Sequence, residues 1–303
     1  MSPVATKPRP RPHSKPRIDA VFVPCAEHST RFHWCYTAKI LGVLAAISLI
    51  FVALAPAQDP VAAAIQRSLP DLYHDEKYGD APYLSEPGWR PLLNGRDLSG
   101  WHAVNQSTHE WFTSAAVNWK RVFNPTHLTA QAAPGDRIVN GKDGKTANLV
   151  TDEKFGSFEL YLEFMLAKGS NSGVYLHGLY EVQIFDSFGF TGPLTVGDCG
   201  GIYELEKGGG GSPPARNAAR APGEWQSLRI WFQAPQFDAA GQKIANGKVW
   251  RVMLNDVPVQ ENFSLAGPTV SHMDTPEAAR NPIMLQGDHG PVAFRHIYIK
   301  SFE

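Results

Sequence analysis

The amino-acid sequence predicts an all-β domain, either a two-sheet sandwich or a barrel. From Trp89 onward, short apolar runs alternate with clusters of Gly, Pro, Asn and Asp, and no long helical periodicity follows. Residues 158–166 place an apolar side chain at every second position, and residues 227–232 repeat this alternation. Several strands at a spacing of roughly 8–15 residues favour packed antiparallel sheets.

Two further segments extend this pattern toward the carboxyl end. Residues 249–260, VWRVMLNDVPVQ, predict a hairpin that turns at Asn255 and Asp256, because these residue types tolerate positive φ. Residues 294–302, FRHIYIKSF, predict a closing strand. The glycine-rich run at 208–211 predicts a flexible loop, because it lacks the Lys-Ser/Thr pair of a phosphate-binding loop.

An uncharged apolar run, ILGVLAAISLIFVALAPA, occupies residues 40–57 and follows several basic residues. It is short for a membrane-spanning helix but suits the apolar part of an export signal. Its last residues, Ala55-Pro56-Ala57, match a cleavage site, so a cleaved chain would begin near Gln58. No cysteine comes directly after the run, which argues against a lipoprotein anchor.

The leader sets the expected domain organisation and location. We expect a signal peptide or N-terminal membrane segment over residues 1–57, a connector over residues 58–88 and the folded domain over residues 89–303. The domain would then be periplasmic or extracellular. Contact with a membrane would occur only through the N-terminal segment, if that segment stays uncleaved.

Charge and cysteine distribution exclude some classes of partner. Residues 1–39 carry seven Lys or Arg and two Asp or Glu, whereas residues 58–303 carry 21 and 27. This mildly acidic part of the chain, residues 58–303, is called the body. It lacks the basic surface that nucleic acid requires, so we expect no nucleic-acid partner. Only Cys199 follows the apolar run, so the body cannot form an internal disulfide.

The sequence identifies no cofactor and leaves the metal content open. Cys25 and Cys35, with His28 and His33 between them, fit no standard spacing of zinc ligands. The body has no HxH, HxxxH or DxDxDG pattern. A divalent metal stays open as an alternative, such as calcium held by loop carbonyls with Asp198 or Asp256.

Five ordered stretches resemble the 3-keto-disaccharide hydrolase domain family. They are WRPLLNGRDLSGW (89–101), FGSFELYLEF (155–164), NSGVYLHGLYEVQIFDSFG (171–189), PGEWQSLRIWFQAPQFDAAGQ (222–242) and PIMLQGDHGPVAFRHIYI (282–299). The resemblance covers about 70% of the chain and implies a concanavalin A-like jelly roll that acts on a sugar. The chain departs from the family at His177, where Arg is frequent, at His296, where Asn is frequent, and in a longer glycine-rich loop.

Strand parity indicates one polar surface. Side chains two positions apart share a face of a strand, so Asn171, Tyr175 and His177 should lie together. Glu181 and Gln183 should share a face of the next strand. Amides, a carboxylate and an aromatic ring suit a sugar, because they bind hydroxyl groups and the C–H face of the ring.

Other candidates have competing interpretations. Asp186 has the opposite parity and reaches the same surface only through a bulge or a strand end; otherwise it caps a turn. Gln286, Asp288 and His289 follow an apolar run, where loops carry function, but could serve only the turn at that point. Arg295 either contributes to the site or braces a buried carboxylate.

Two more expectations complete the set of candidates. Trp225, in the turn PGEW, is a candidate platform for stacking on a sugar ring. Glu159 and Glu163 are expected on a solvated outer face of their strand. The predicted catalytic residues are Glu181, His177 and His289, and the predicted substrate-binding residues are Asn171, Tyr175, Gln183, Asp186, Trp225, Gln286 and Arg295.

The resemblance implies 3-keto-disaccharides or related 3-keto-glycosides as substrates. A C3 ketone acidifies the proton on C2, so a base can remove it, the C1 substituent can leave, and water can add back. Glu181 would be the acid–base residue, with His177 or His289 as its partner, and Gln183, Asn171 or Arg295 would supply donors to the enolate oxygen.

Two alternatives compete with this interpretation. Direct displacement by two carboxylates is less favoured, because Asp186 has the wrong parity. A non-catalytic carbohydrate-binding or cell-envelope module could use the same sandwich, since fold does not determine function. A carboxylate–histidine group on the polar surface would favour the enzyme.

Overall fold

The computed structural model describes residues 59–69, 80–208 and 210–302. The expected leader, residues 1–57, lies outside this part of the chain. Within it, no helix combines the length and the apolar character needed to cross a bilayer.

The described chain is almost entirely β-structure, which confirms the predicted fold class. Its helical elements are α1 (Pro60–Ser68), α2 (Pro82–Ser85) and one 3-10 turn (Val104–Gln106). Its strands are β1 (Arg90–Pro91), β2 (Trp101–Ala103), β3 (Phe112–Ser114), β4 (Val117–Lys120), β5 (Asn124–Ala130), β6 (Arg137–Val139), β7 (Leu149–Thr151), β8 (Phe158–Leu166), β9 (Asn171–Leu176), β10 (Tyr180–Phe185), β11 (Gln226–Gln233), β12 (Gln236–Phe237), β13 (Lys243–Ala245), β14 (Gly247–Leu254), β15 (Val257–Leu265), β16 (Met284–Leu285) and β17 (Val292–Ser301).

Two antiparallel sheets form a jelly-roll sandwich. The larger sheet has the order β15-β14-β11-β8-β17-β6-β3, with β1 also beside β17. The smaller sheet has the order β10-β9-β16-β7-β2. The pairs β4–β5 and β12–β13 form separate two-stranded ribbons. The smaller sheet positions the candidate site.

Alternating side chains bring the two sheets together around one core. On β8 the predicted apolar positions are fully buried, from Phe158 through Leu166. The smaller sheet contributes Val174, Leu176, Val182 and Ile184 to the same cluster. Burial of each side chain of this size stabilises the fold by about 1.5–3 kcal/mol. The opposite face of the smaller sheet is therefore free to carry polar groups.

The predicted carboxyl-terminal hairpin is confirmed. Strands β14 and β15 meet at Asn255 and Asp256, whose φ angles are 52° and 64°. Positive φ at both central positions is the geometry of the tight turn that matches strand twist. The predicted closing strand is β17, and it contains a bulge between Arg295 and Tyr298.

The outer face of the larger sheet is covered rather than solvated. Ile65 of α1 packs with Trp231, Trp250 and Met253 in an apolar cluster, and Tyr83 of α2 stacks on a strand tyrosine with ring centroids 3.9 Å apart. Two described pieces of the expected connector therefore pack onto the sheet. Asp59 begins the first piece and accepts hydrogen bonds from two glutamine side chains, at 2.5 and 2.6 Å.

This cover corrects the expectation that Glu159 and Glu163 are solvated. Glu159 is fully buried and pairs with Arg229 at 2.5 Å, and its burial raises its pKa to about 7 despite that pairing. Burial would also raise the pKa of Glu163, but hydrogen bonds from His296 and Arg295 outweigh it and lower this pKa to about 2. Both carboxylates thus belong to the structure of the larger sheet.

Candidate functional site

The smaller sheet carries a polar face on the side away from the core. We define this polar face as Asn171, Gly173 and Tyr175 of β9, Glu181 and Gln183 of β10, and Gln286, which follows β16. Tyr175 lies opposite Glu181, and Gly173 lies opposite Gln183. The Gln286 backbone N–H donates to the Gly173 carbonyl at 2.9 Å. The structure thus brings together the five non-glycine residues of this face that were predicted from parity and strand-end position.

Three buried polar atoms of this face have no hydrogen-bond partner among the described residues. They are the side-chain oxygens of Asn171, Tyr175 and Gln286. Each unsatisfied buried polar group costs about 1–3 kcal/mol, and such groups are uncommon in folded proteins. Three of them on one face are typical of a surface built to bind a polar ligand.

Glu181 occupies the centre of the polar face because Gly173 leaves room for it. A Cβ on Gly173 would collide with the Glu181 carboxyl, its Cδ lying 2.9 Å away. The Glu181 residue is 3% exposed. Its backbone N–H donates to the Thr269 hydroxyl at 3.0 Å, and this bond holds β10 at the edge of the smaller sheet.

Burial raises the pKa of Glu181 to about 7. The nearby Tyr175 hydroxyl opposes this shift, although it makes no hydrogen bond of good geometry, and the negative charge of Asp288 adds to the shift. Burial, followed by the charge of Glu181, also raises the pKa of Tyr175, so this hydroxyl stays protonated. A carboxyl group with a pKa near neutrality can both accept and donate a proton.

Asp288 and His289 lie at the rim of the polar face. The His289 Nδ1 is 2.5 Å from a carboxylate oxygen of Asp288, and both side chains are about half exposed. The Asn171 backbone N–H donates to the His289 carbonyl at 3.3 Å, which ties this loop to β9. A carboxylate–histidine pair therefore lies next to Asn171, at the edge of the polar face that holds Glu181.

Buried side chains hold the rim loop in place. The Asn140 amide donates to the carbonyls of Gly287 and Gly290 at 3.0 and 2.8 Å. The Gly287 N–H donates to the Asn148 side chain at 2.9 Å. The position of Asp288 is thus determined by the fold.

The expectation that His177 shares the polar face is wrong. The strand β9 ends at Leu176, and His177 has a φ of 57°, so the alternation of side chains stops there. Its ring lies in the core, 4.8 Å from the Phe232 ring, and its Nε2 is 3.0 Å from the Gly156 carbonyl oxygen. Burial lowers its pKa to about 4, so it is neutral at pH 7. Its position in the core keeps it away from the polar face.

Two predicted substrate-binding residues lie on the larger sheet, away from the polar face. Arg295 donates to Glu163 at 2.6 Å, and its guanidinium lies 4.2 Å from the centre of the Trp225 ring. Arg295 therefore braces a carboxylate, the structural alternative considered for it. Trp225 is partly buried and packs against an apolar cluster formed by the β4–β5 ribbon and the larger sheet, away from the polar face.

Asp186 is also separate from the polar face. Its carboxylate accepts a hydrogen bond from the Gly169 N–H at 2.8 Å, the turn role considered for it. It lines another groove of about 720 Å³ with Trp119, Lys168 and Phe188. The opposite strand parity of Asp186 therefore correctly predicts that its side chain does not share the face of Glu181 and Gln183.

Two residues matter more to the site than the sequence indicates. Gly173 sits within an alternating strand and gives no sign that a carboxyl group lies over it. Asp288 has a weak signal, because it adjoins His289 at a strand end, but a turn explains the same pattern.

Gln183 lies on the face that strand parity predicts, and its Oε1 accepts the Ile184 N–H at 3.0 Å.

Candidate metal ligands are sparse in the described part of the chain. No three His, Cys, Asp or Glu side chains there are grouped as a metal site. Asp198, considered for calcium, accepts hydrogen bonds from Ser187 and Thr195 at 2.8–3.1 Å, so its oxygens hold a loop. Asp256 lies in the tight hairpin turn of the larger sheet.

Two solved structures show what the fold of this chain is similar to. A candidate glycosyl hydrolase from Parabacteroides distasonis is 28% identical with a TM-score of 0.53, and the match covers 71% of this chain and 84% of that chain. A second candidate glycosyl hydrolase from the same organism is 18% identical with a TM-score of 0.43, covering 71% and 95% of the two chains. A search of curated proteins returned no significant match.

The model of the 3-keto-alpha-glucoside-1,2-lyase-like domain matches residues 88–300. This range contains every strand of the sandwich except the last residue of β17, and it contains every residue of the polar face. It also agrees with the five ordered motifs of the sequence. The chain therefore belongs to the 3-keto-alpha-glucoside-1,2-lyase-like domain family, the 3-keto-disaccharide hydrolase family that those motifs resemble.

Proposed function

We propose that this protein is an exported enzyme that cleaves 3-keto-disaccharides or related 3-keto-glycosides, with Glu181 as its acid–base residue. One observation carries the proposal: a buried carboxyl group with a pKa of about 7 lies among three buried polar atoms that lack partners. A binding module needs the polar atoms but does not need an acid–base group placed among them.

The proposed reaction is an elimination followed by hydration. The Glu181 carboxylate removes the C2 proton, and the electron pair of that C–H bond moves into an enolate whose charge rests on the C3 oxygen. The enolate then forms a C1–C2 double bond, restores the ketone and expels the C1 oxygen, which takes a proton. Water adds across the double bond, so the net result is hydrolysis.

The polar face supplies the groups that this reaction requires. The protonated hydroxyl of Tyr175 and the amide of Asn171 are donors suited to the developing enolate charge. The Asp288–His289 pair at the rim can deliver the proton to the leaving oxygen. Arg295 is not available for the enolate, since it pairs with Glu163 on the other sheet.

The C3 ketone should decide whether the bond is cleaved. We expect the purified protein to release sugar from a 3-keto-disaccharide and to leave the plain disaccharide nearly intact, because only the ketone acidifies C2. In heavy water, the product should carry deuterium at C2, as measured by NMR. Equal cleavage of both sugars would exclude elimination, and binding of both without cleavage would favour a non-catalytic module. Parallel assays with EDTA test for a metal.

The pH dependence of kcat/KM should report the ionisation of Glu181. A general base must be unprotonated, so kcat/KM should rise with pH to a plateau above about 7. Asp288→Asn removes a negative charge that raises the pKa of Glu181, so the midpoint of this rise should move to lower pH. Asp186→Asn is the matched control and should leave the midpoint in place. An unmoved midpoint in Asp288→Asn would show that Asp288 does not act on Glu181.

The export part of the proposal rests on the apolar run at residues 40–57 and its small-residue end. We expect the native protein to begin near Gln58 or, if the segment is retained, to fractionate with membranes. N-terminal sequencing of native protein from a soluble fraction that yields Met1 would contradict export.

A further inference from the structure

We propose that a groove beside the rim loop binds the sugar on the leaving side of the cleaved bond. The inference rests on the proposed function and adds a second subsite to it. The groove is shallow and open to solvent, and its volume is about 420 Å³. Its lining residues are Val104, Asn105, Ser107, Lys145, Thr146, Ala147, Asn148 and Asp288.

The groove continues directly from the polar face. Leu149 of β7 pairs with Leu285 of β16, and both belong to the core, so the adjoining Asn148 and Gln286 point to the opposite side. Gln286 in turn bonds to Gly173, which lies opposite Gln183. One polar row therefore crosses four neighbouring strands, a span of about 14 Å at ordinary strand spacing.

Asp288 joins the two parts of this row. It lines the groove, and its charge acts on both Glu181 and Tyr175. A sugar ring held in the groove would place its linking oxygen beside the Asp288–His289 pair. The group that must protonate the leaving oxygen thus stands between the ring that is attacked and the ring that leaves.

The lining of the groove suits a neutral sugar. Asn105, Asn148 and Ser107 offer amide and hydroxyl groups that can both donate and accept hydrogen bonds. Val104 and Ala147 offer small apolar contacts for the C–H face of a ring. Lys145 and Asp288 bring opposite charges, so the groove favours neither an acidic nor a basic sugar.

The walls of the groove are held by backbone contacts. The Val104 N–H donates to the Asn148 carbonyl at 2.9 Å, which links the 3-10 turn to β7. The Thr146 N–H donates to the Gly287 carbonyl at 3.1 Å. Asn105 has a φ of 56°, a conformation that glycine also adopts readily. The groove is therefore part of the fold before any ligand binds.

The test compares two substrates that share the keto sugar and differ in the leaving group. One is methyl 3-keto-glucoside, and the other is a 3-keto-disaccharide that releases glucose. The variant Ser107→Trp fills the groove from an exposed position, so kcat/KM for the disaccharide should fall by about tenfold or more while the methyl glycoside changes by less than about twofold. Ser264→Trp, exposed on β15 of the larger sheet, is the matched control and should change neither value.

A second variant removes a side chain instead of adding one. Asn105→Gly keeps the left-handed backbone and deletes the amide, and it should lower kcat/KM for the disaccharide alone by about fivefold, the value of one ordinary hydrogen bond. Equal losses on both substrates, or no loss on the disaccharide, would overturn the groove as a subsite.

Failure of the proposed function would look different. The wild-type protein would then cleave neither keto substrate. Calorimetry with an unmodified disaccharide would still test the groove: loss of binding in Ser107→Trp but not in Ser264→Trp would support a sugar subsite, and equal binding by all three proteins would overturn it.

Discussion

Glu181→Gln should lower kcat/KM toward a 3-keto-disaccharide by on the order of 10²–10⁴-fold, the usual contribution of a positioned acid–base group. The amide keeps the size of the side chain and its place over Gly173, but it cannot accept the C2 proton. Steady-state assays on both proteins at pH 8 would measure the loss. Glu261→Gln changes an exposed carboxylate on the larger sheet and should retain full activity.

The same variant should not be less stable than the wild type. The pKa of Glu181 is raised from 4.5 to about 7 on folding, so its ionisation weakens the fold as the pH rises through this range. Glutamine avoids that cost, and the free energy of unfolding at pH 8 should be higher by about 1–3 kcal/mol, with the difference lost at pH 4. Full activity in Glu181→Gln would remove this residue from the mechanism.

Gly173→Ala should lower kcat/KM by about 10²-fold although it leaves every chemical group in place. The added methyl group would occupy the space of the Glu181 carboxyl, which must then move away from the C2 proton. A displacement of about 1 Å can cost this much rate. Kinetics with the 3-keto-disaccharide would measure the effect, together with a crystal structure of the variant.

A matched glycine separates this displacement from a general effect of alanine. Gly247 lies on β14 of the larger sheet, and a Cβ there would meet its nearest neighbours at 3.4 Å, an ordinary contact. Gly247→Ala should therefore keep its activity. If Gly173→Ala is as active as Gly247→Ala, then the position of the Glu181 carboxyl over Gly173 does not matter for the reaction.

Local patterns were sufficient to predict much of the fold. The alternation over residues 158–166 coincides with β8, and the residues of the 255–256 turn impose the hairpin. Exposure could not be predicted in the same way, because it depends on contacts between distant parts of the chain. Glu159 alternates like a surface residue, yet α1 and α2 cover its side of the sheet.

The candidate site was predictable wherever strand parity holds. Parity places Asn171, Tyr175, Glu181 and Gln183 correctly, since regular strands alternate strictly. It fails at His177, where one residue with positive φ ends the strand and turns the ring into the core. Strand parity does not say which of the two sheets a strand joins, because that depends on the topology of the whole domain. The sequence therefore did not reveal that Arg295 lies on the larger sheet, away from the polar face.

The first described residues lie on the outer face of the larger sheet. Asp59 and α1 are fastened to the outer face of the larger sheet, whereas the polar face belongs to the opposite side of the sandwich. A bead or sensor chip coupled to α1 would thus contact the domain on the side away from the polar face. Covalent attachment through an exposed residue of α1, such as Arg67, should leave the polar face open to bulk solution.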